Sequence, residues 1–458
     1  MKAVRRSLHL RRRGAAFIVS MIFVVVFSAL VVGIASLSGA NVQLASNHHK
    51  VNSALSAAQS GQNVMRYWLS RVVMSSSTPP SDYFNTIVNC LQADLQDNGI
   101  SNITVNNDGS ISSVTLDSQS SRSFTGMLLI DPNATTVLQT CITGNCGAIT
   151  RTIKVCYDIE PYEHPIFRFG LATKGPLRFP GNPTLATVNA NWEADVYVES
   201  ANDPDALRVV GNTNFDGDVN IGNPEGNVDF QSDVLIAGDH GQTAIDNHVF
   251  IGVDPTDFPV PDADHFLQYA TGDVIDSSTD LTKGMTVTNA TIAAGTNPHF
   301  ESSVIIQGVL VIEAPNEVTF GRNVNLQGII IADGDVNCPA TNKIDFLGNF
   351  DTDPFPPDAQ FDVMRHETGA SIIAPGFGAT FAGNFSALDG VMAVSGVYFS
   401  GNASALVKGT ILSYSDNPAV VEGNASLTFD RLHTTTIPAG FDTHRVLDYN
   451  PSYYSVIP

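Results

Sequence analysis

The chain opens on an unbroken apolar run. Residues 15–40 read AAFIVSMIFVVVFSALVVGIASLSGA, and no residue charged at pH 7 lies between Arg13 and Lys50. Fourteen Val, Ile, Leu or Phe residues fall between Ala15 and Leu37. At about −0.3 to −0.6 kcal/mol each near a bilayer centre, they supply roughly −4 to −8 kcal/mol towards insertion. As a helix the run spans ~39 Å, enough to cross a ~30 Å hydrocarbon core with tilt. The pattern then becomes periodic. Val51, Leu55, Ala58, Met65, Trp68 and Val72 recur at helical steps, predicting a stem helix over 41–78 that Pro79-Pro80 stops.

Beyond Ser81 the period shortens. A short amphipathic helix is predicted over 82–96, then alternating segments at 103–105, 111–116 and 149–157, with Asn107-Asp108-Gly109 as a hairpin turn. This predicts a small α+β region over 81–163. Farther on, a frame repeats. Phe300-Glu-Ser-Ser-Val304-Ile-Ile-Gln-Gly308 returns twenty residues later as Phe320-Gly-Arg-Asn-Val324-Asn-Leu-Gln-Gly328, and more loosely from Phe381 to Gly390 and from Phe399 to Gly409. Weaker versions begin at Phe215 and Phe230.

Short strands repeating near twenty residues predict stacked parallel coils, because one coil alone cannot bury its apolar face. The expectation is a parallel, right-handed β-helix over 164–448, with a β-sandwich as runner-up, and a C-terminal tail over 449–458. Gly308, Gly328, Gly390 and Gly409 are expected at corners where a Cβ is costly. Proline- and carboxylate-rich stretches at 254–264 and 351–358 are expected to flank the coils.

Charge sharpens the picture. Six Lys and Arg residues, Lys2 to Arg13, precede the apolar run and predict a cytoplasmic N-terminus with the remainder exported, a single-pass arrangement. All 45 acidic residues lie at or after Asp82, against 14 of the 23 basic ones, so the exported part carries −31. Such a surface repels phosphates, and nucleic-acid binding is excluded as a function class.

Three fates are open to the apolar run: a signal cut after Ala40, an uncleaved anchor, or a short basic peptide trimmed at Gly14. The third carries a resemblance. "RRRG" followed directly by "AAFIVSMIFVVVFSAL" resembles the start of PilX-like pilus-assembly proteins and of the K-type minor pseudopilins of type II secretion. The resemblance covers about residues 10–75. It implies cleavage by prepilin peptidase between Gly14 and Ala15, methylation of the new amine, and residence in a bacterial inner membrane before assembly with other pilin-like subunits into a pilus at the cell surface. Val19 stands where ordinary pilins carry glutamate, which argues against a major pilin. Ala58-Gln59-Ser60-Gly61 replaces the family's Ala-Glu-x-Gly.

Five cysteines occur. Cys141 and Cys146 could close a disulfide around a Gly-Asn turn, Cys90 could pair with Cys156, and Cys338 would be left over. No Cys-x-x-Cys or His-pair spacing supports a metal site, and no cofactor fingerprint appears. Asp216, Asp218, Asp229, Asp233 and Asp239 could serve a glycosidase, but the stretch from 216 to 264 holds no Lys or Arg. Asp216-Gly-Asp218-Val-Asn220 begins like a calcium loop yet has Ile221 and Asn227 at the positions where an EF-hand needs Gly and Glu. The reading is therefore a non-enzymatic pilin-like subunit that displays a β-helix for adhesion or substrate contact. A membrane-anchored surface β-helix that acts on or binds polysaccharide is the alternative.

Overall fold

Helix α1, Arg12–Leu69, changes character halfway along its length. Residues 16–50 are exposed all round, whereas Ala54, Ala57, Ala58, Gly61, Gln62, Met65, Trp68 and Leu69 are buried along one stripe. The computed structural model describes residues 12–75, 78–336, 341–384, 387–401, 403–432, 438–441 and 444–457. Cys338, the basic residues up to Arg11 and Asn402 lie outside them. Contacts divide the chain into two units, Met1–Glu160 with His444–Pro458, and Pro161–Thr443.

In the first unit α1 ends at Leu69, ten residues before the prolines expected to stop it. The chain turns at Ser70–Arg71 because Val73–Ser75 (β1) is taken up as a strand beside His444–Ile457. Helix α2, Tyr83–Asp97, then turns Tyr83, Ile87, Val88, Leu91 and Leu95 inward. Strands β2 (Ser110–Asp117), β3 (Arg122–Asp131), β4 (Ala134–Cys146) and β5 (Ile149–Pro161) follow as an antiparallel meander. The sheet order is β1, C-terminal strand, β5, β4, β3, β2. The stretch expected as a tail is therefore a strand inside this sheet.

Small residues let α1 lie directly on the sheet. A Cβ on Gly144 would meet the Ala54 carbonyl at 2.1 Å and the Ala58 nitrogen at 2.3 Å, and one on Gly61 would meet the Phe124 ring at 2.6 Å. Gln62, buried in this contact, donates to the Tyr157 hydroxyl at 2.9 Å and accepts from Thr140 at 3.4 Å.

The second unit is a stack of parallel coils, which excludes the sandwich. Val304–Ile312 and Val324–Ala332 pair through nine consecutive positions, Gly308 facing Gly328, so the twenty-residue frame is the coil itself. Gly308 has φ +79°, and a Cβ on Gly328 would meet the Gly308 carbonyl at 1.8 Å. Phe300, Phe320, Phe346, Phe381 and Phe399 form a ladder, with successive centroids 4.9, 5.3, 4.9 and 5.2 Å apart and rings nearly parallel. The column continues through Val421, Phe179, Val209 and Phe230. Phe215 is not on it. It pairs with Leu185 and Ile236 at another corner, so the two weaker repeats are not equivalent.

Chain order and stacking order differ. The chain begins the unit mid-stack at Leu171–Thr173 and steps outward through Val196–Val198 and Val219–Ile221 to Val249–Ile251. It then crosses to the far pole, resumes at Val274–Ile275 and returns rung by rung to Ile411–Ser413, which pairs with Leu171–Thr173. Ten inter-strand steps at ~4.8 Å make this crossing ~48 Å, within the ~70 Å reach of residues 252–273 when extended. The crossing segment fastens to the coils as it goes. Thr256 N–H donates to the Tyr197 hydroxyl, Tyr414 donates to the Pro259 carbonyl, and Gly272 N–H donates to the Asn289 carbonyl. Phe258, Ala263 and Phe266 cover the outward faces of Tyr197, Leu412, Ile373 and Ile329. That is why both alternating faces of these strands are apolar.

The ends of the unit consequently meet. Phe167 packs on Phe441 at 5.1 Å, and Arg431 donates to the carbonyls of Phe167 and Arg168. A linear solenoid would separate its ends by its whole length. This one returns them to one place, which suits an insertion between β5 and the C-terminal strand, neighbours in the first sheet.

Candidate functional site: a bare helix and a cleft on the coil stack

Two features are left unexplained by folding alone. The first is the exposed half of α1. From Phe17 to Leu44 it presents large apolar side chains to all sides, Phe17 at 67%, Val25 at 65% and Leu37 at 67% exposure among them. Ala16–Leu69 is long and apolar enough to cross a membrane. Gly14 and Ala15 lie in the first turns of this helix. Val19 is 52% exposed, in the middle of the bare surface. The stripe residues Ala58, Met65, Trp68 and Val72 are buried, and Gly61 is the close-contact residue of the Ala-Gln-Ser-Gly motif.

The second feature is a cleft of about 590 Å³ on the coil stack. Its floor carries Gly369, Gly390 and Gly409, and its wall is the excursion 353–369 between two rungs. That wall is held from behind. Glu367 meets His265 at 3.1 Å and accepts from the Tyr269 hydroxyl at 3.3 Å, while Arg365 binds the carbonyls of Pro356 and Asp358 and the Asp362 carboxylate. Asp389 and Lys408 are register partners on neighbouring rungs. Both side chains are exposed, and neither has an ion pair or side-chain hydrogen bond with a described residue. Sequence reasoning passed over them. The available signal was that each precedes its repeat glycine, where Gln307 and Gln327 stand in the tighter repeats.

The carboxylates that the sequence did single out bind coil to coil. Asp216 accepts from Thr187 N–H at 2.9 Å and from the Asn214 amide. Asp218 and Asp239 are bridged by His248, at 2.8 and 3.4 Å. Asp229 meets Arg208 at 3.3 Å and Asp233 meets His240 at 3.1 Å. Asp195, which accepts from Asp218 N–H at 2.8 Å, has its carboxyl pushed up to about 6, chiefly by burial, with the Asp218 charge adding to it. Beside it, burial alone would raise the Glu193 carboxyl. Hydrogen bonds from Asn189, Arg431 and Ala190 outweigh that and hold it low. None of these acids lines the cleft. Among the described residues, no group of three or more His, Cys, Asp or Glu could hold a metal ion.

The expected disulfides are corrected by the sheet. Cys141 and Cys146 lie on one continuous strand, five residues or ~17 Å apart, where a bridge needs Cα atoms within about 7 Å. The turn comes after Cys146, at Gly147 with φ +61°. Cys90 packs against the core that Val155 and Tyr157 face, while Cys156 points out of the opposite face of β5. All four are free thiols, and burial raises Cys90, Cys141 and Cys156 above the usual thiol range.

Residues 13–63 match the family model PilX N-terminal. The N-terminal region is pilin-like. The match spans the pilin-like helix from its first turns through the bare half and into the packed stripe. A crystal structure of the competence-associated pilin ComZ from Thermus thermophilus aligns over 89% of this chain and 97% of its own, at 14% identity and a TM-score of 0.22, a score that supports no argument. No curated protein matches the chain.

Proposed function

We propose that the chain is a pilin-like subunit, of PilX or minor-pseudopilin type, in a type IV pilus or type II secretion-like filament. The observation that carries this is the family match over residues 13–63, which coincides with a helix bare over 16–50 and packed beyond Ala54. The bare half has one use in the bacterial inner membrane, with the N-terminus cytoplasmic, and a second among other pilin-like helices after assembly. Prepilin peptidase cuts between Gly14 and Ala15. The coil unit is the displayed, non-enzymatic part, contacting a surface or substrate. A unit of 283 residues, Pro161–Thr443, is hard to repeat at every lattice position and favours a rare or tip-located subunit.

Mass spectrometry of the mature amino terminus, with crosslinking in cells, tests the reading. A methylated Ala15 and crosslinks to other leader-bearing subunits are expected. An intact Met1 or a new terminus at Asn41, without such crosslinks, overturns it.

One observation favours a second reading, in which a membrane-anchored solenoid acts on polysaccharide. Asp195 and Asp218 are neighbouring carboxyls, and Asp195 is held at about 6, the kind of separation an acid–base pair needs. Both are spent on contacts between coils, away from the cleft, so the structural subunit remains the better account.

A further inference from the structure

We infer that the cleft binds a linear, uncharged glycan laid along the stack axis. This rests on the reading that the coil unit is the displayed part of the subunit, and it assigns that display a ligand class.

The cleft has a repeating floor. Thr352, Asp389, Lys408 and Asp430 lie on successive rungs: Asp389 N–H donates to the Thr352 hydroxyl at 3.0 Å, Asp389 registers with Lys408, and Asp430 N–H donates to the Val407 carbonyl at 2.9 Å. Three steps of ~4.8 Å give ~14 Å, the length of an oligosaccharide rather than of one sugar. Alongside this row run Gly369, Gly390 and Gly409. A Cβ on Gly409 would meet the Gly390 carbonyl at 2.1 Å, and one on Gly390 would meet the Gly369 carbonyl carbon at 2.7 Å. The glycines therefore leave bare peptide planes as a flat surface.

A peptide strand has little to bind there. Val391 N–H donates to the Gly369 carbonyl at 2.7 Å, Met392 N–H to Thr410 at 3.0 Å and Gly390 N–H to Lys408 at 3.2 Å. The backbone is spent between coils, so strand addition is closed off and recognition falls to side chains. Those side chains suit hydroxyls. The Asp389 carboxylate is exposed and uncommitted, and Asp353 and Asp430 each accept one amide, from Asn325 at 2.7 Å and Asn189 at 3.0 Å. A carboxylate has about four acceptor sites, enough for paired hydroxyls, and the Lys408 ammonium offers three donors. Phe355 and Phe167 add apolar surface for the C–H face of a ring.

Charge decides between glycan classes. Four carboxylates (Asp353, Glu367, Asp389 and Asp430) face Lys408 and an Arg365 already bound by its own loop. The surplus is negative, which disfavours uronates, sulfated glycans and nucleic acid.

The test is calorimetric titration of the full chain, purified in detergent, with cellohexaose, chitohexaose and mannohexaose. An oligogalacturonate, a short DNA duplex and an unstructured neutral peptide are run alongside. At least one neutral hexasaccharide is expected to bind, weakened about tenfold or more by Asp389→Ala and by Phe355→Ser with the melting temperature unchanged, while the other probes stay inert. Three results each overturn the inference: no neutral glycan binds, binding survives both substitutions, or an anionic probe or the peptide binds in an Asp389-dependent way. The amino terminus is read on the same preparation. A methylated Ala15 without glycan binding removes the ligand and leaves the filament reading standing.

Discussion

Leu171, in the first strand of the coil unit, pairs in register with Ile411, in one of its last. The pair is a seam at which the chain closes the stack it began 240 residues earlier. Leu171 is fully buried, with Ile411 on one side and Val196 on the other. Ile251, on the outermost rung, is 45% exposed. Because each coil is stabilised by its neighbours, a defect mid-stack weakens both arms. Leu171→Ala is therefore expected to cost ~2–5 kcal/mol in urea unfolding of the full chain, and Ile251→Ala under ~1 kcal/mol. Equal losses would place the seam at an end rather than in the middle.

The phenylalanine ladder makes a separate claim. Phe346 sits between Phe320 at 5.3 Å and Phe381 at 4.9 Å, with all three rings fully buried. Phe346→Ala removes a whole ring from a column that cannot collapse without shortening the stack. The expected loss is ~3–5 kcal/mol, read by thermal or urea unfolding, with Phe346→Leu recovering much of it. An alanine variant as stable as the wild type would show that the rungs do not depend on the column.

How much of this could be read from the sequence follows from which contacts are local. Phe300 and Phe320 are one coil apart in both sequence and space, so their shared frame announced the stack. Phe346 belongs to the same ladder, but it is 26 residues from Phe320 and 35 from Phe381, because the wall 353–369 is looped out between rungs. The frame loses its period there. The seam left no trace, since Leu171-Ala-Thr and Ile411-Leu-Ser share only an apolar first residue. The end of α1 was missed because Val73–Ser75 is claimed by a strand that arrives 370 residues later. In the site, the apolar helix was plain from charge and hydropathy. Asp389 and Lys408 were not, because a charged residue before a turn glycine looks like ordinary solvated surface until coils stack it over a bare floor. The disulfide expectation failed for a related reason: Gly144-Asn145 looks like a turn, but Gly144 is there to admit the Ala54 backbone.

That contact is testable on its own. A methyl on Gly144 would meet two backbone atoms of α1, neither able to swing aside. Gly144→Ala is expected to lift the helix from the sheet at a cost of ~1–3 kcal/mol or more, read as faster proteolysis of the first unit. Gly39, on the bare half, has nothing within 4 Å, so Gly39→Ala is expected to be neutral or to favour the helix by ~0.5–1 kcal/mol. If Gly144→Ala were as benign as Gly39→Ala, small-residue contact would not be what holds α1 to its sheet.

Asp195 sets a pH dependence of the coil unit. Its carboxyl titrates at about 6 when folded, against about 3.9 in an unfolded chain, chiefly because burial penalises the charge. A raised folded value means that the folded state holds the proton more tightly. The associated stability is complete below pH ~4 and declines as the unfolded form ionises first. It is gone once pH passes about 6, a total of ~3 kcal/mol at most. Asp195→Asn keeps an oxygen to accept from Asp218 N–H but cannot ionise. The stability difference, wild type minus variant, is expected to fall by up to that amount between pH 4 and pH 6 and to stay flat from pH 6.5 to 8, in thermal unfolding of the full chain. A difference that does not change across pH 4–6 would mean that Asp195 is solvated in the folded protein and that its bond to Asp218 does not bury it.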